Sequence, residues 1–335
     1  MSSSRVRVMS LLPSATEIIC AIPGKSQQTH TQIVPTIHEL IGGKELLVAR
    51  SSEDDYPSDI AHLPTVIDPI IQFTSLADVD KQVVDKMKEL GTLYVVDKSR
   101  IEALAPDVIL TQDLCRVCSV DLMTVERIAQ NMDPRPTVLN LSPTCIENML
   151  DNITEVGNTV GLNSQAAAYR GSLEDRIARV RLNVEQHAAG QPRLRVLCLD
   201  WVNPYIVGGH WMPQIIDWAG GISLLSLLVT DEQGHRRGEG AKRVSADDIV
   251  AANPDIIIIA ACGLDLATLR KEIDDISENS EWLAVRAAAP RIVICDGHHY
   301  FNRPGPRLID TLEFVAGISH SISALIPSDL PYQEL

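Results

Sequence analysis

Chemistry in this 335-residue chain concentrates in short stretches that follow apolar, β-branched runs. Cys115-Arg116-Val117-Cys118 sets two thiols three residues apart where a helix should begin. A positive helix end and a neighbouring arginine both favour thiolate, so the pair could do redox chemistry or hold a soft metal ion. Structural zinc needs four ligands, and no second Cys-x-x-Cys or finger-spaced His pair follows. Buried or incidental thiols therefore stay open as the other use of Cys115 and Cys118.

Aromatic residues are scarce, 13 in all, yet Trp201, Tyr205, Trp211 and Trp218 fall close together around Gly208-Gly209-His210. Such density at a strand exit suggests a flat apolar wall for a ligand, with His210 as metal or hydrogen-bond partner; packing in the core is the alternative use of the same rings. A second group is Asp296-Gly297-His298-His299-Tyr300-Phe301-Asn302-Arg303-Pro304. Its proline and following glycine predict a fixed loop, and Arg303 could pair with a ligand carboxylate or phosphate. Near the amino terminus, Pro13-Ser14-Ala15-Thr16-Glu17 opens a helix, with Ser14 as its expected N-cap and exposed amides able to hold an anionic or carbonyl oxygen. Ser14, Thr16 and Glu17 are accordingly candidate ligand contacts. Glu53-Asp54-Asp55 is read as a solvated turn, because consecutive side chains seldom converge on one cation.

The elements that must position these groups are strands predicted at 6–12, 46–50, 108–111, 137–141, 194–200, 256–260 and 292–295, with helices between them. That alternation indicates an α/β fold with parallel sheets. An internal echo points to two similar lobes: Ala105-Pro106-Asp107-Val108-Ile109 matches Asn253-Pro254-Asp255-Ile256-Ile257, each a helix end, a Pro-Asp turn and a buried strand. Apolar residues Tyr169, Leu173, Ile177, Val180 and Val184 recur at helical spacing, so one long helix should join the lobes. The expected division is an N-terminal lobe over 1–143, a helical connector over 144–190 and a C-terminal lobe over 191–335. The glycine-bounded segment 24–43 has no clear period and reads as a loop or weak helix.

A formal charge of −15 disfavours nucleic acid and anionic membrane surfaces as partners. Polar residues interrupt the apolar stretch near the amino terminus, so it does not read as a secretory leader. Seven cysteines suit a reducing, cytoplasmic setting better than a disulfide framework. No nucleophile elbow, Walker loop, dinucleotide fingerprint or His-Glu-x-x-His motif occurs, which favours binding over catalysis.

From about Arg5 to Gly317 the chain resembles the substrate-binding proteins of cobalamin and ferric-siderophore import, and within them a cobalamin-binding-like branch. Carrying the resemblance are Thr111-Gln112-Asp113-Leu114-Cys115-Arg116-Val117-Cys118, Gly209-His210-Trp211-Met212-Pro213 and Tyr300-Phe301-Asn302-Arg303-Pro304-Gly305-Pro306-Arg307. Asp55-Tyr56-Pro57 matches more weakly and adds Tyr56 to the candidates. The resemblance implies two Rossmann-like lobes on one helix. It also implies a small-molecule ligand, cobalamin or another corrinoid or a related tetrapyrrole, in the cleft, with Tyr300 and Phe301 as stacking aromatics. Trp201, His210, Trp211 and Arg303 complete the expected ligand set. Exported receptors of this kind dock to a permease through a glutamate on each lobe; Pro64 and Asn302 stand at the matching positions here, so permease docking is not expected. The competing reading is a thiol- or metal-dependent enzyme or metal chaperone built on Cys115, Cys118 and His210.

Overall fold

The computed structural model describes residues 5–24, 42–114 and 120–335. Cys115 and Cys118, and most of the 24–43 segment, lie outside the described residues. The chain divides into two compact units, one comprising Met1–Gln72, Gln82–Pro143 and Asn148–Leu173 and the other Phe73–Lys81, Thr144–Glu147 and Glu174–Leu335.

Six strands build the N-terminal sheet: β1 (Val8–Ser10), β2 (Leu47–Ser51), β3 (Thr65–Pro69), β4 (Tyr94–Val96), β5 (Val108–Thr111) and β6 (Thr137–Asn140), in the order β4-β3-β2-β1-β5-β6. All neighbours run parallel except β3 and β4. The C-terminal unit holds β7 (Arg195–Val202), β8 (Tyr205–Val207), β9 (Ile222–Ser223), β10 (Leu228–Thr230), β11 (Arg236–Gly238), β12 (Lys242–Arg243), β13 (Ile256–Ile259), β14 (Ile292–Cys295) and β15 (Tyr332–Glu334). Its main sheet is ordered β12-β8-β7-β13-β14-β15, with β9 added beside β7, while β10 and β11 form a separate hairpin. The parallel centre β7-β13-β14 carries antiparallel edges, a common way to finish a doubly wound sheet.

Continuous burial of β5, β13 and β14 explains why these strands read so clearly from sequence. The internal echo also has a physical basis. In each unit a helix ends on a left-handed residue, Ala105 or Asn253, just before the Pro-Asp pair. The aspartate then accepts a hydrogen bond from the main-chain N–H of an arginine that leads into the central strand: Arg7 to Asp107 at 2.8 Å and Arg195 to Asp255 at 2.7 Å. The same clamp sets Val8 opposite Val108 and Val196 opposite Ile256.

The predicted long helix is one element, Asn163–Ala188, of 26 residues. In its second half the Arg176 guanidinium bonds Asp310 at 2.5 Å and Glu313 at 2.6 Å, fastening it to the helix Leu308–His320. Burial raises the Asp310 carboxyl, and Arg176 opposes that rise. Arg176→Met leaves two carboxylates half-buried with no cation, which should cost about 2 kcal/mol. The expected result is an earlier urea midpoint; an unchanged midpoint would show that solvent already screens this network. Among the described residues no helix is long and apolar enough to cross a membrane.

Candidate functional site

In open α/β sheets ligands bind outside the carboxyl ends of the strands, so those ends define the candidate site in each unit.

In the N-terminal unit β1 leads into the helix Pro13–Ala21, whose N-cap is Leu12 with no side-chain cap. Ser14 is therefore not the N-cap. Proline preset for the first helical turn starts the helix earlier, leaving Ser14 buried inside that turn. Thr16 and Glu17 are buried too. Thr16 donates to Asp54 Oδ2 at 2.5 Å, and the Ser51 N–H donates to the same oxygen at 3.1 Å. The turn after β2 thus has a buried core: Asp54 is 1% exposed and holds the turn to the first helix, in contrast to the expected fully solvated turn. Asp55 and Tyr56 are exposed, Tyr56 by 47%. After β5, the Asp113 N–H donates to Ser142 Oγ at 2.8 Å, tying that exit to the one after β6.

In the C-terminal unit three strand exits and one glycine turn meet. Asp200 and Trp201 lie just before β7 closes at Val202, and the Asp200 main-chain oxygen accepts from the Cys262 N–H at 2.9 Å. After β14, residues Gly297–Phe301 form a π-helical turn, a rare geometry that often marks functional sites. Asp296 starts it. Burial alone would raise this carboxyl, but bonds from the His299 main chain (2.9 Å) and Nδ1 (2.8 Å) hold it below the usual carboxylate range. The neighbouring His298 Nε2 takes a 2.8 Å bond from Arg303, which fixes the histidine proton on Nδ1. Asn302 Nδ2 donates to Ala260 O (2.8 Å) and Gly297 O (2.9 Å), locking this turn onto the exit of β13.

Asp200 is a group that sequence reading missed. Its Oδ1 is buried with no hydrogen-bond partner, and burial pushes the carboxyl up to about 7. Gly208 makes the room: a Cβ there would lie 2.7 Å from Asp200 Oδ1. Nothing local in the sequence marks a strand-end aspartate as desolvated; the signal is the glycine pair that follows on β8, legible only once β7 and β8 are paired. His210 lies in the same turn in a left-handed conformation, and burial, with the nearby Arg237 charge, lowers its imidazole. Cys198 and Cys295 are fully buried and their thiols raised well above the ordinary range, which makes them inert, whereas Cys262 is exposed at the exit of β13.

The aromatic candidates are placed in the interior. Trp201 is 8% exposed and its indole N–H donates to Leu76 O at 3.2 Å and Asn203 O at 3.1 Å. Trp211 donates to Phe301 O at 2.8 Å. Phe301 is fully buried edge-on to Phe314, and Tyr300 donates to Asp329 O at 3.0 Å while its ring lies under Arg307. Burial, then the Asp329 charge, pushes the Tyr300 hydroxyl up to about 12. The structure thus brings His298, His299 and Arg303 together within the turn after β14, and keeps Ser14, Thr16 and Glu17 in the other unit. Two recesses elsewhere in the C-terminal unit, of about 230 and 680 Å³, contain neither Asp200 nor the His298 turn.

Residues 66–298 match the sequence profile described as periplasmic binding protein. A search of curated protein sequences finds no match. Among solved structures, the chain is similar to a periplasmic haem-binding protein from Pseudomonas aeruginosa, with TM-score 0.63 and 18% identity over 94% of this chain and 93% of that one. It is similar to the periplasmic vitamin B12-binding protein BtuF of Vibrio cholerae, with TM-score 0.61 and 17% identity over 95% and 97%. The apo haem-binding protein RhuT from Roseiflexus sp. RS-1 gives TM-score 0.61 and 18% identity over 97% and 100%. At these identities the likeness establishes the fold, and the profile spans most of the sequence; the chain belongs to the periplasmic binding protein family and carries the fold of those periplasmic binding proteins.

Proposed function

We propose that the protein binds a corrinoid, or a related metal-chelating tetrapyrrole, through the carboxyl-end loops of its sheets. The carrying observation is the set of strand exits tied together in the C-terminal unit: the exit Ala260-Ala261-Cys262-Gly263 is bonded to Asp200 through the Cys262 N–H and to the following turn through the His298 N–H to Leu264 O and Asn302 to Ala260 O, and that turn carries the His298–Arg303 pair. Small residues let a flat ligand approach the backbone. A carboxyl that keeps its proton near neutral pH can donate to a ligand amide or carbonyl, and the arginine and histidines complement amide or carboxylate arms. The haem- and B12-binding relatives support a macrocyclic ligand. In the N-terminal unit Tyr56 has an exposed ring to offer, whereas the Tyr300 and Phe301 rings would support the loop from behind. The reading includes a role without permease docking, because Pro64 and Asn302 stand at the positions matched to docking glutamates.

Absorbance titration with cobalamin, cobinamide and haem tests the reading. Saturable spectral change with a corrinoid, weakened about tenfold or more in His298→Ala, is expected. Response to haem alone would keep the ligand class and remove the corrinoid; response to none of the three would overturn the reading.

A further inference from the structure

We propose that Cys145, Asp231 and His235 form a binding site for one zinc-like divalent cation within the C-terminal unit. One donor atom from each residue lies within 4.8 Å of the other two. A thiol, a carboxylate and an imidazole together make a borderline-soft donor set, which suits zinc and excludes magnesium or calcium as preferred occupants.

The hairpin β10–β11 positions two of the three. Asp231 and His235 bracket its tip, where Asp231 Oδ1 accepts from the main-chain N–H groups of Gln233 (3.1 Å) and His235 (2.8 Å). The Asp231 N–H donates in turn to His235 O at 2.9 Å. These bonds leave Asp231 Oδ2 facing His235 Nδ1 at 3.7 Å. That separation is too long for a hydrogen bond. It matches the roughly 3.3–3.7 Å between two ligands that each sit about 2.0–2.3 Å from a tetrahedral zinc ion. His235 Nδ1 is also shielded from solvent and has no hydrogen-bond partner, so a cation would satisfy a nitrogen that is otherwise left unpaired.

Cys145 comes from a distant part of the chain and is held firmly. It precedes the helix Ile146–Thr159; the Ile146 N–H donates to Gln214 Oε1 at 2.8 Å, and Gln214 donates to Glu147 at 2.6 Å. Cys145 is fully buried, whereas the Asp231 and His235 side chains keep 13% and 28% of their surface, an entry path for an ion. Binding replaces the thiol proton with the metal and releases that proton to solvent, so occupancy rises with pH. Three protein ligands leave a fourth position for water. The site involves neither the Cys115/Cys118 pair nor His210, and it does not depend on the corrinoid reading.

The test uses the full chain. After zinc loading and desalting against a weak chelator, the parent should retain about one ion, and Cys145→Ser, Asp231→Asn and His235→Gln should each bind at least about tenfold more weakly. Cobalt in place of zinc should give a thiolate-to-metal charge-transfer band that survives Cys115→Ser/Cys118→Ser and disappears in Cys145→Ser. The exposed His187→Gln, with its circular dichroism and melting curve, controls for fold. If Cys145→Ser does not fold, the two hairpin-tip variants decide the matter. No retained zinc in the parent, equal retention in all variants, or a cobalt band that follows Cys115 and Cys118 would each overturn the proposal.

Discussion

Asp200→Asn protein is expected to be more stable than the parent at neutral pH and to lose the parent's decline in stability across the weakly acid range. The parent carboxyl rises from 3.8 to about 7 because it is desolvated at the end of β7, with its Oδ1 unpartnered. The folded state therefore holds a proton that the unfolded state gives up. Stability from this group is fully present below the unfolded value, falls as pH climbs, and is lost once pH passes the folded value near 7. The span corresponds to at most about 4 kcal/mol, less whatever water reaches the partly open residue. Asparagine keeps the shape and cannot ionise, so its urea midpoint should change little between about pH 4 and about pH 8 from this source. Parallel pH profiles for parent and variant would show that the carboxyl is solvated and that its burial carries no energetic consequence. The sequence offers no hint of this behaviour, since an aspartate after an apolar strand reads equally well as an exposed turn residue.

A second large effect is expected from Gly297→Ala. A Cβ at this position would lie 2.3 Å from Ala261 O and 2.4 Å from the Ala260 carbonyl carbon, both main-chain atoms that cannot rotate away. Relief requires the turn after β14 to move from the exit of β13. That strains the His298 N–H bond to Leu264 O (3.0 Å) and both Asn302 bonds. Overpacking of this kind costs about 1–3 kcal/mol, occasionally more, with the lost hydrogen bonds on top. A domain of this size should melt roughly 5–10 °C lower. Because the displaced turn carries His298 and Arg303, ligand response in the absorbance titration should fall as well. A variant that melts and binds like the parent would show that the two exits are not rigidly packed, and would remove the basis for treating this turn as a preformed site.

The aromatic residues show where local reading stops. Trp201, Trp211, Tyr300 and Phe301 cluster at strand exits, and by composition alone a ligand wall and a core are indistinguishable. Folding decides it through distant partners: Leu76 O for Trp201, Phe301 O for Trp211, Phe314 for Phe301. Asp54 is the same lesson for charge. One residue in a run of three carboxylates is buried because Thr16, far along the chain, supplies a donor.

What the sequence by itself determined are the features with a local cause. β5, β13 and β14 are uninterrupted apolar runs bounded by turn residues, the helix Asn163–Ala188 carries a helical period, and the paired Pro-Asp turns repeat because the same arginine clamp is needed twice. Only the tertiary structure decided the short strands β3, β4, β8, β12 and β15, whose antiparallel pairings rest on partners and not on their own propensity. It alone also decided the chemistry of the C-terminal turn. A carboxyl's proton and a ring's free face depend on burial, and burial depends on which segments of the chain arrive beside them.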